Sequence, residues 1–162
     1  MKTVYYSLFF SKIKYCITSW GGVPKSVIDP IYKLQKRAIR FVSSKPFRTP
    51  TQPLFHRLKM LKLQDIYKHE VCKMTHYMKS NKLYGELTLT NLTSHHNYRT
   101  RLSQEDNFYT KPCRTNLGQT AFEFIAPKLW REVPSELKPL NTHAFKNKYK
   151  NYLINLYDVD GN

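Results

Sequence analysis

Lys33, Lys36, Arg37 and Arg40 recur at three- and four-residue steps within one stretch of this sequence. On a helix that spacing places all four cations on one face. Arginine presents a planar fork that matches phosphate, and lysine a mobile point charge, so the chemistry on offer is phosphate binding. Arg48, Arg99, Arg101, Arg114 and Lys128 extend the set, and they sit near Phe47, Tyr98 or Trp130 in sequence. Cations interleaved with aromatic rings suit nucleic acid, because guanidinium groups bind phosphates while rings stack on unpaired bases.

Other constellations are weaker. His69-x-x-Cys72-x-x-x-His76 falls close to one face of a predicted helix, as zinc ligands would, yet structural zinc takes four protein ligands and no second cluster accompanies it. Two-metal catalysis needs clustered carboxylates, and the adjacent pair Glu105-Asp106 has no further acid beside it in sequence. Ser94-His95-His96 lacks an acid to orient a histidine as a base. Cys113 has no evident partner, and no glycine-rich phosphate loop occurs. These residues give no catalytic constellation, no metal site and no cofactor, so the chain by itself reads as a binding protein rather than an enzyme.

The elements that position the cations follow from periodicity. Val4 to Trp20 carries Tyr5, Leu8, Phe9, Ile13, Cys16, Ile17 and Trp20 as one amphipathic helical stripe, closed by Gly21-Gly22. The stripe opens without a polar tail or a cap, as in a piece of something longer. A second helix runs from about Ser26 to Ser44, with Val27, Ile31, Leu34, Ala38, Phe41 and Val42 expected to pack opposite the basic face. Pro30 suits only a first turn, so its start is Ser26 or Asp29. Pro46, Pro50 and Pro53 mark a rigid connector.

A short helix follows from Pro53 to Met60, with Thr51 as its cap, and then a longer one from Leu63 to Asn81. The polar segment 82–105 reads as a surface loop. Asn107 to Thr110 and Ala121 to Ile125 have strand-like composition and predict a small β-hairpin turning at Leu117-Gly118. Ala126 opens a short helix that ends before Pro134. The last helix spans Thr142 to Tyr157, capped by Asn141 or Thr142, and the tail from Asp158 to Asn162 frays. The predicted fold is mainly α: a basic helical domain of about five to six helices with a small hairpin. Residues 1–81, 82–105 and 106–162 form its three regions within one domain.

Composition agrees with a polyanion partner. The 162 residues include 27 Lys and Arg against 11 Asp and Glu, a formal charge of +16, and 14% of the chain is aromatic. Such imbalance predicts attraction to nucleic acid or to an anionic surface. Three irregularly spaced cysteines, Cys16, Cys72 and Cys113, fit a reducing compartment better than a disulfide scaffold. The apolar run Thr3 to Phe10 is interrupted by Lys12 and Lys14, unlike a signal peptide. No stretch approaches the roughly 20 apolar residues of a membrane span.

Several segments, in order, resemble a known family. Tyr5-Tyr6-Ser7, Ser11-Lys12-Ile13-Lys14-Tyr15 and Ser19-Trp20-Gly21 are similar to the stretch beyond the polymerase palm of non-LTR (LINE-type) retrotransposon reverse transcriptases. Leu34-Gln35-Lys36-Arg37-Ala38-Ile39-Arg40 resembles that family's most recognisable downstream signature. Pro53-Leu54-Phe55, Leu58 to Tyr67, Tyr98-Arg99-Thr100-Arg101, Arg114 to Gly118 and Pro127-Lys128-Leu129-Trp130 follow in the family's order. Phe145-Lys146 with Tyr152-Leu153 resembles its C-terminal helix. The likeness spans residues 4–156. It departs at Cys16, where the family tends to carry Gly, and at Ala126, which replaces a Gly before Pro-Lys.

The resemblance implies the thumb-proximal, C-terminal and non-catalytic region of an RNA-directed DNA polymerase of a transposable element. The family's Tyr-x-Asp-Asp turn is absent here, and fingers and palm, with their Mg²⁺, would lie upstream. Implied partners are template RNA, target DNA or both, and the upstream fingers and palm; the implied location is intracellular, nuclear when acting and cytoplasmic otherwise. Rival expectations are a helical clamp that only packs on the palm, a stand-alone basic remnant without activity, and a membrane-surface binder using the first helix and the basic patch.

Overall fold

Runs of helix-forming residues, broken where the backbone turns left-handed or meets proline, dictate a helical chain. The computed structural model describes residues 2–81, 89–92 and 106–159. Among them the fold is mainly α, with eight helices and no strand. Helix α1 comprises Lys2–Val4, a π-helical Tyr5–Phe10 and Ser11–Lys14. Then come α2 (Ile17–Trp20), α3 (Lys25–Val42), α4 (Gln52–Leu58), α5 (Leu63–Asn81), α6 (Asn116–Gln119), α7 (Phe122–Arg131) and α8 (Thr142–Val159).

Two compact units divide the chain: Met1–Tyr67 with Lys150–Asn162, and Lys68–Tyr149. In the first, the core is built from Ile13, Ile17, Ile28, Ile39, Leu54, Phe55, Met60, Leu63 and Ile66, joined by Leu153 and Ile154. Each such side chain stabilises the fold by about 1.5–3 kcal/mol on burial. Gln35 is wholly buried among them and bonds three groups at once. Its amide nitrogen donates to Tyr5 Oη and to the Leu61 carbonyl, both at 3.0 Å, and its Oε1 accepts from the Leu63 N–H at 2.9 Å. Tyr157 Oη donates to Asp65 and accepts from the Lys62 N–H, so the end of α8 is fastened to the start of α5 within this unit.

The expected single helix from Val4 to Trp20 is broken. Tyr15 leaves helical geometry with ψ 120°, and Cys16 takes the left-handed conformation with φ 49°. The Tyr15 carbonyl, freed from the helix, accepts from Trp20 Nε1 at 2.9 Å. Within α1 the wider π turn lets Tyr5 meet both Phe9 and Phe10, with ring centroids 5.4 and 6.4 Å away. Gly21 follows α2, and a Cβ there would lie 2.3 Å from the Tyr67 ring, so the close approach of these segments requires glycine.

Other boundaries also differ from the sequence reading. Helix α3 begins at Lys25, and Pro30 lies inside it rather than in its first turn. The missing Pro30 N–H is tolerated on a face that is exposed to water, where the unpaired carbonyl one turn back is solvated. Thr51 precedes α4 but makes no side-chain cap. At α8 the choice between caps resolves to Asn141, whose Oδ1 accepts from the Ala144 N–H at 2.8 Å.

The second unit has its own core: Val71, Cys72, Thr75 and His76 from α5, Ala126 and Trp130 from α7, Phe145 and Tyr149 from α8, with Phe108 and Val133. Trp130 donates from Nε1 to the Asp106 carbonyl at 3.0 Å. Lys138, also buried, donates to Asn107 Oδ1 at 2.9 Å. The predicted β-hairpin is absent from the described residues. Ala121 is instead the N-cap residue of α7, and Phe122 to Ile125 are helical. An amphipathic pattern that buries Ala126 and Trp130 outweighs local strand propensity there. Phe108 does form an isolated antiparallel bridge, with Asn91; the Tyr109 N–H donates to the Thr90 carbonyl at 2.8 Å. The expected surface loop 82–105 lies outside the described residues apart from 89–92, and the tail beyond Val159 lies outside them entirely.

Candidate nucleic-acid interface

Helix α3 carries the strongest sequence-derived site, and the structure sets its orientation. Ile28, Gln35 and Ile39 face the core. Lys33 and Arg37 are exposed on the other side, and Lys36 and Arg40 are half-buried along its border. The four cations therefore face away from the packing side. The apolar stripe named from sequence is only partly the packing side. Val27, Leu34 and Phe41, spaced by sevens, are 59%, 52% and 65% exposed. Including Ile28 and Ile39 in the apolar arc would have revealed one too broad for a single packed face.

Phe47, in the connector after α3, organises the basic side. The guanidinium carbons of Arg37 and Arg40 lie 5.8 and 5.5 Å from its ring centroid. Phe47 is nevertheless 67% exposed. Arg40 Nε donates to the Thr49 carbonyl at 2.8 Å, and the Lys45 N–H donates to the Arg40 carbonyl at 3.0 Å. These bonds hold the connector against the helix end. Lys36 Nζ stands 4.3 Å from the Tyr32 ring centroid. The Tyr32 phenol has its pKa raised by burial and, secondarily, by the negative charge of Asp65, so it stays neutral beneath that cation. Arg48 is exposed next to Phe47. No acidic residue occurs between Asp29 and Asp65, so this run attracts phosphate with no competing carboxylate in sequence.

The remaining sequence-predicted cations belong to other parts of the chain. Arg114 and Lys128 are exposed residues of the second unit, Lys128 with its Nζ 3.8 Å from the Phe124 ring centroid. Arg99 and Arg101, and Tyr98 with them, lie outside the described residues. Trp130 is fully buried and has no face to offer a base.

The His69, Cys72 and His76 trio sits in the core of the second unit, each engaged separately. His69 Nε2 donates to the Lys146 carbonyl at 3.0 Å and His76 Nε2 to the Leu140 carbonyl at 2.8 Å. The Cys72 thiol, pushed up to about 12 chiefly by burial, donates to Tyr149 Oη at 3.5 Å. Among the described residues no group of three His, Cys, Asp or Glu is arranged to hold a metal. Asp106 pairs with Lys79; Glu105 lies outside the described residues.

No helix among the described residues is long and apolar enough to cross a membrane. In comparisons with protein-family models, with curated proteins and with solved structures, the chain matches none.

Proposed function

We propose that this chain is the C-terminal, non-catalytic region of a non-LTR retrotransposon reverse transcriptase and that it binds RNA or DNA through the basic side of α3. One observation carries the binding reading: an acid-free run in which the guanidinium groups of Arg37 and Arg40 approach an exposed aromatic ring while Lys33 and Arg48 are exposed to solvent, with the helical cations on the side of α3 turned from its core. Such a surface supplies phosphate contacts without loss of packing. The reverse-transcriptase reading rests on the ordered motifs alone. Under it the chain performs no polymerisation, which would need the palm carboxylates and Mg²⁺ of the upstream region.

The test is fluorescence anisotropy with a labelled oligonucleotide, comparing the wild-type chain with Lys33→Glu/Arg37→Glu. Both residues are fully outside the core, so the double variant keeps its helical dichroism and cooperative melt while affinity falls at least tenfold. Unchanged affinity would remove α3 from the interface.

A second reading is favoured by the ridge of Val27, Leu34 and Phe41 together with exposed Leu8 and Tyr15. In it, the first unit is a clamp whose apolar surface is covered by the polymerase palm. The isolated chain then self-associates with rising concentration, measured by sedimentation velocity, and Lys33→Glu/Arg37→Glu leaves its oligonucleotide affinity unchanged.

A further inference from the structure

The exposed rings beside α3 are not explained by phosphate binding. A duplex presents phosphates and hides base faces, so a phosphate-binding surface for duplex gains nothing from Phe47 or Phe41. Both are nonetheless about two-thirds exposed, Phe47 at 67% and Phe41 at 65%. Phe41 lies one helical turn beyond Arg37, on the same side of α3. Phe47 is approached by two guanidinium groups, at 5.8 and 5.5 Å from its centroid.

The ring is also held in place. Arg40 anchors the connector through the Thr49 carbonyl, the Thr49 N–H closes a turn on the Pro46 carbonyl at 3.1 Å, and Pro46 and Pro50 restrict the backbone on either side. Little backbone freedom of the connector is left to lose when a base lands on Phe47.

We propose that Arg37, Arg40, Phe41 and Phe47 form a stacking platform that selects single-stranded over double-stranded nucleic acid, an inference that rests on the phosphate-binding reading of α3. Unpaired bases stack on the two rings while Arg37, Lys33 and Arg48 take the adjoining phosphates. The charge of the surface argues for this occupant, because the acid-free run between Asp29 and Asp65 attracts a polyanion, and the rings require one with accessible planar faces. Each stacked base is worth roughly tenfold in affinity, and a duplex forgoes it.

The experiment uses the full chain and a labelled mixed-sequence single strand about 20 nucleotides long, enough to cover typical single-strand site sizes. Its blunt duplex and unlabelled poly-glutamate serve as comparators. The single strand is expected to bind about tenfold or more tightly than the duplex. Phe47→Leu, and more so Phe41→Leu/Phe47→Leu, erase that preference while leaving the dependence on salt unchanged, since no phosphate contact is lost.

Equal affinity for single strand and duplex, with the leucine variants neutral and the salt dependence still steep, overturns the platform but leaves the phosphate reading standing. A flat salt response overturns both. Poly-glutamate displacing the single strand at equal charge would assign the surface to an acidic protein and overturn the platform as well.

Discussion

Gln35 satisfies three buried groups with one side chain, and its removal leaves all three without a partner. A buried donor or acceptor left unpaired costs about 1–3 kcal/mol, so Gln35→Leu should destabilise the first unit by about 4 kcal/mol in urea titration. A loss below about 1 kcal/mol would mean that water replaces the amide there. His76 offers a second residue-scale prediction. It is buried with Nε2 committed to the Leu140 carbonyl and with Nδ1 unpartnered, and burial, aided by Lys79, lowers its pKa from 6.5. The unfolded chain then binds the proton more readily than the folded one. Stability from this group is complete above pH 6.5 and declines as pH falls below it, before most carboxylates titrate at about pH 4. Thermal midpoints between pH 7 and about 5 should fall, and His76→Gln should flatten that slope. Neither role is legible in sequence, where Gln35 stands among cations and His76 has the spacing of a metal ligand, because a residue's hydrogen-bond partners come from segments far away in the chain.

At the scale of elements, helix ends decide how the first unit closes. Cys16, Ser44 and Lys59 all adopt positive φ, near 50°, directly after or one residue past a helical stretch or between two of them. An L-residue pays roughly 1–2 kcal/mol for that conformation, and glycine does not. Cys16 is exposed, so Cys16→Gly loses no packing and should raise stability by about 1 kcal/mol. A denaturation midpoint that does not move would show that glycine's added freedom in the unfolded chain cancels the relief. The helices Lys25–Val42, Leu63–Asn81 and Thr142–Val159 were legible within a few residues because their apolar periodicity is long. Short segments were not. Ala121 to Ile125 looks strand-like in isolation, and the unbroken run from Val4 to Trp20 contains no glycine or proline to announce its break at Tyr15-Cys16.

For the whole molecule, charge is the governing quantity. A formal +16 on 162 residues makes association with any polyanion dependent on counterion release. With about six phosphates engaged, log affinity against log salt should have a slope of roughly −4 to −5. A slope near zero in anisotropy titrations would contradict the basic-face reading at every smaller scale. The sequence by itself determined the helical class, the basic balance and the grouping of Lys33, Lys36, Arg37 and Arg40, because periodicity and charge are local properties. Only the tertiary structure decided which apolar side of α3 is covered, that Phe47 rather than Trp130 stands open among arginines, and that Gln35 is interior. Those outcomes depend on which distant segments compete to bury each face, and no local pattern encodes the winner.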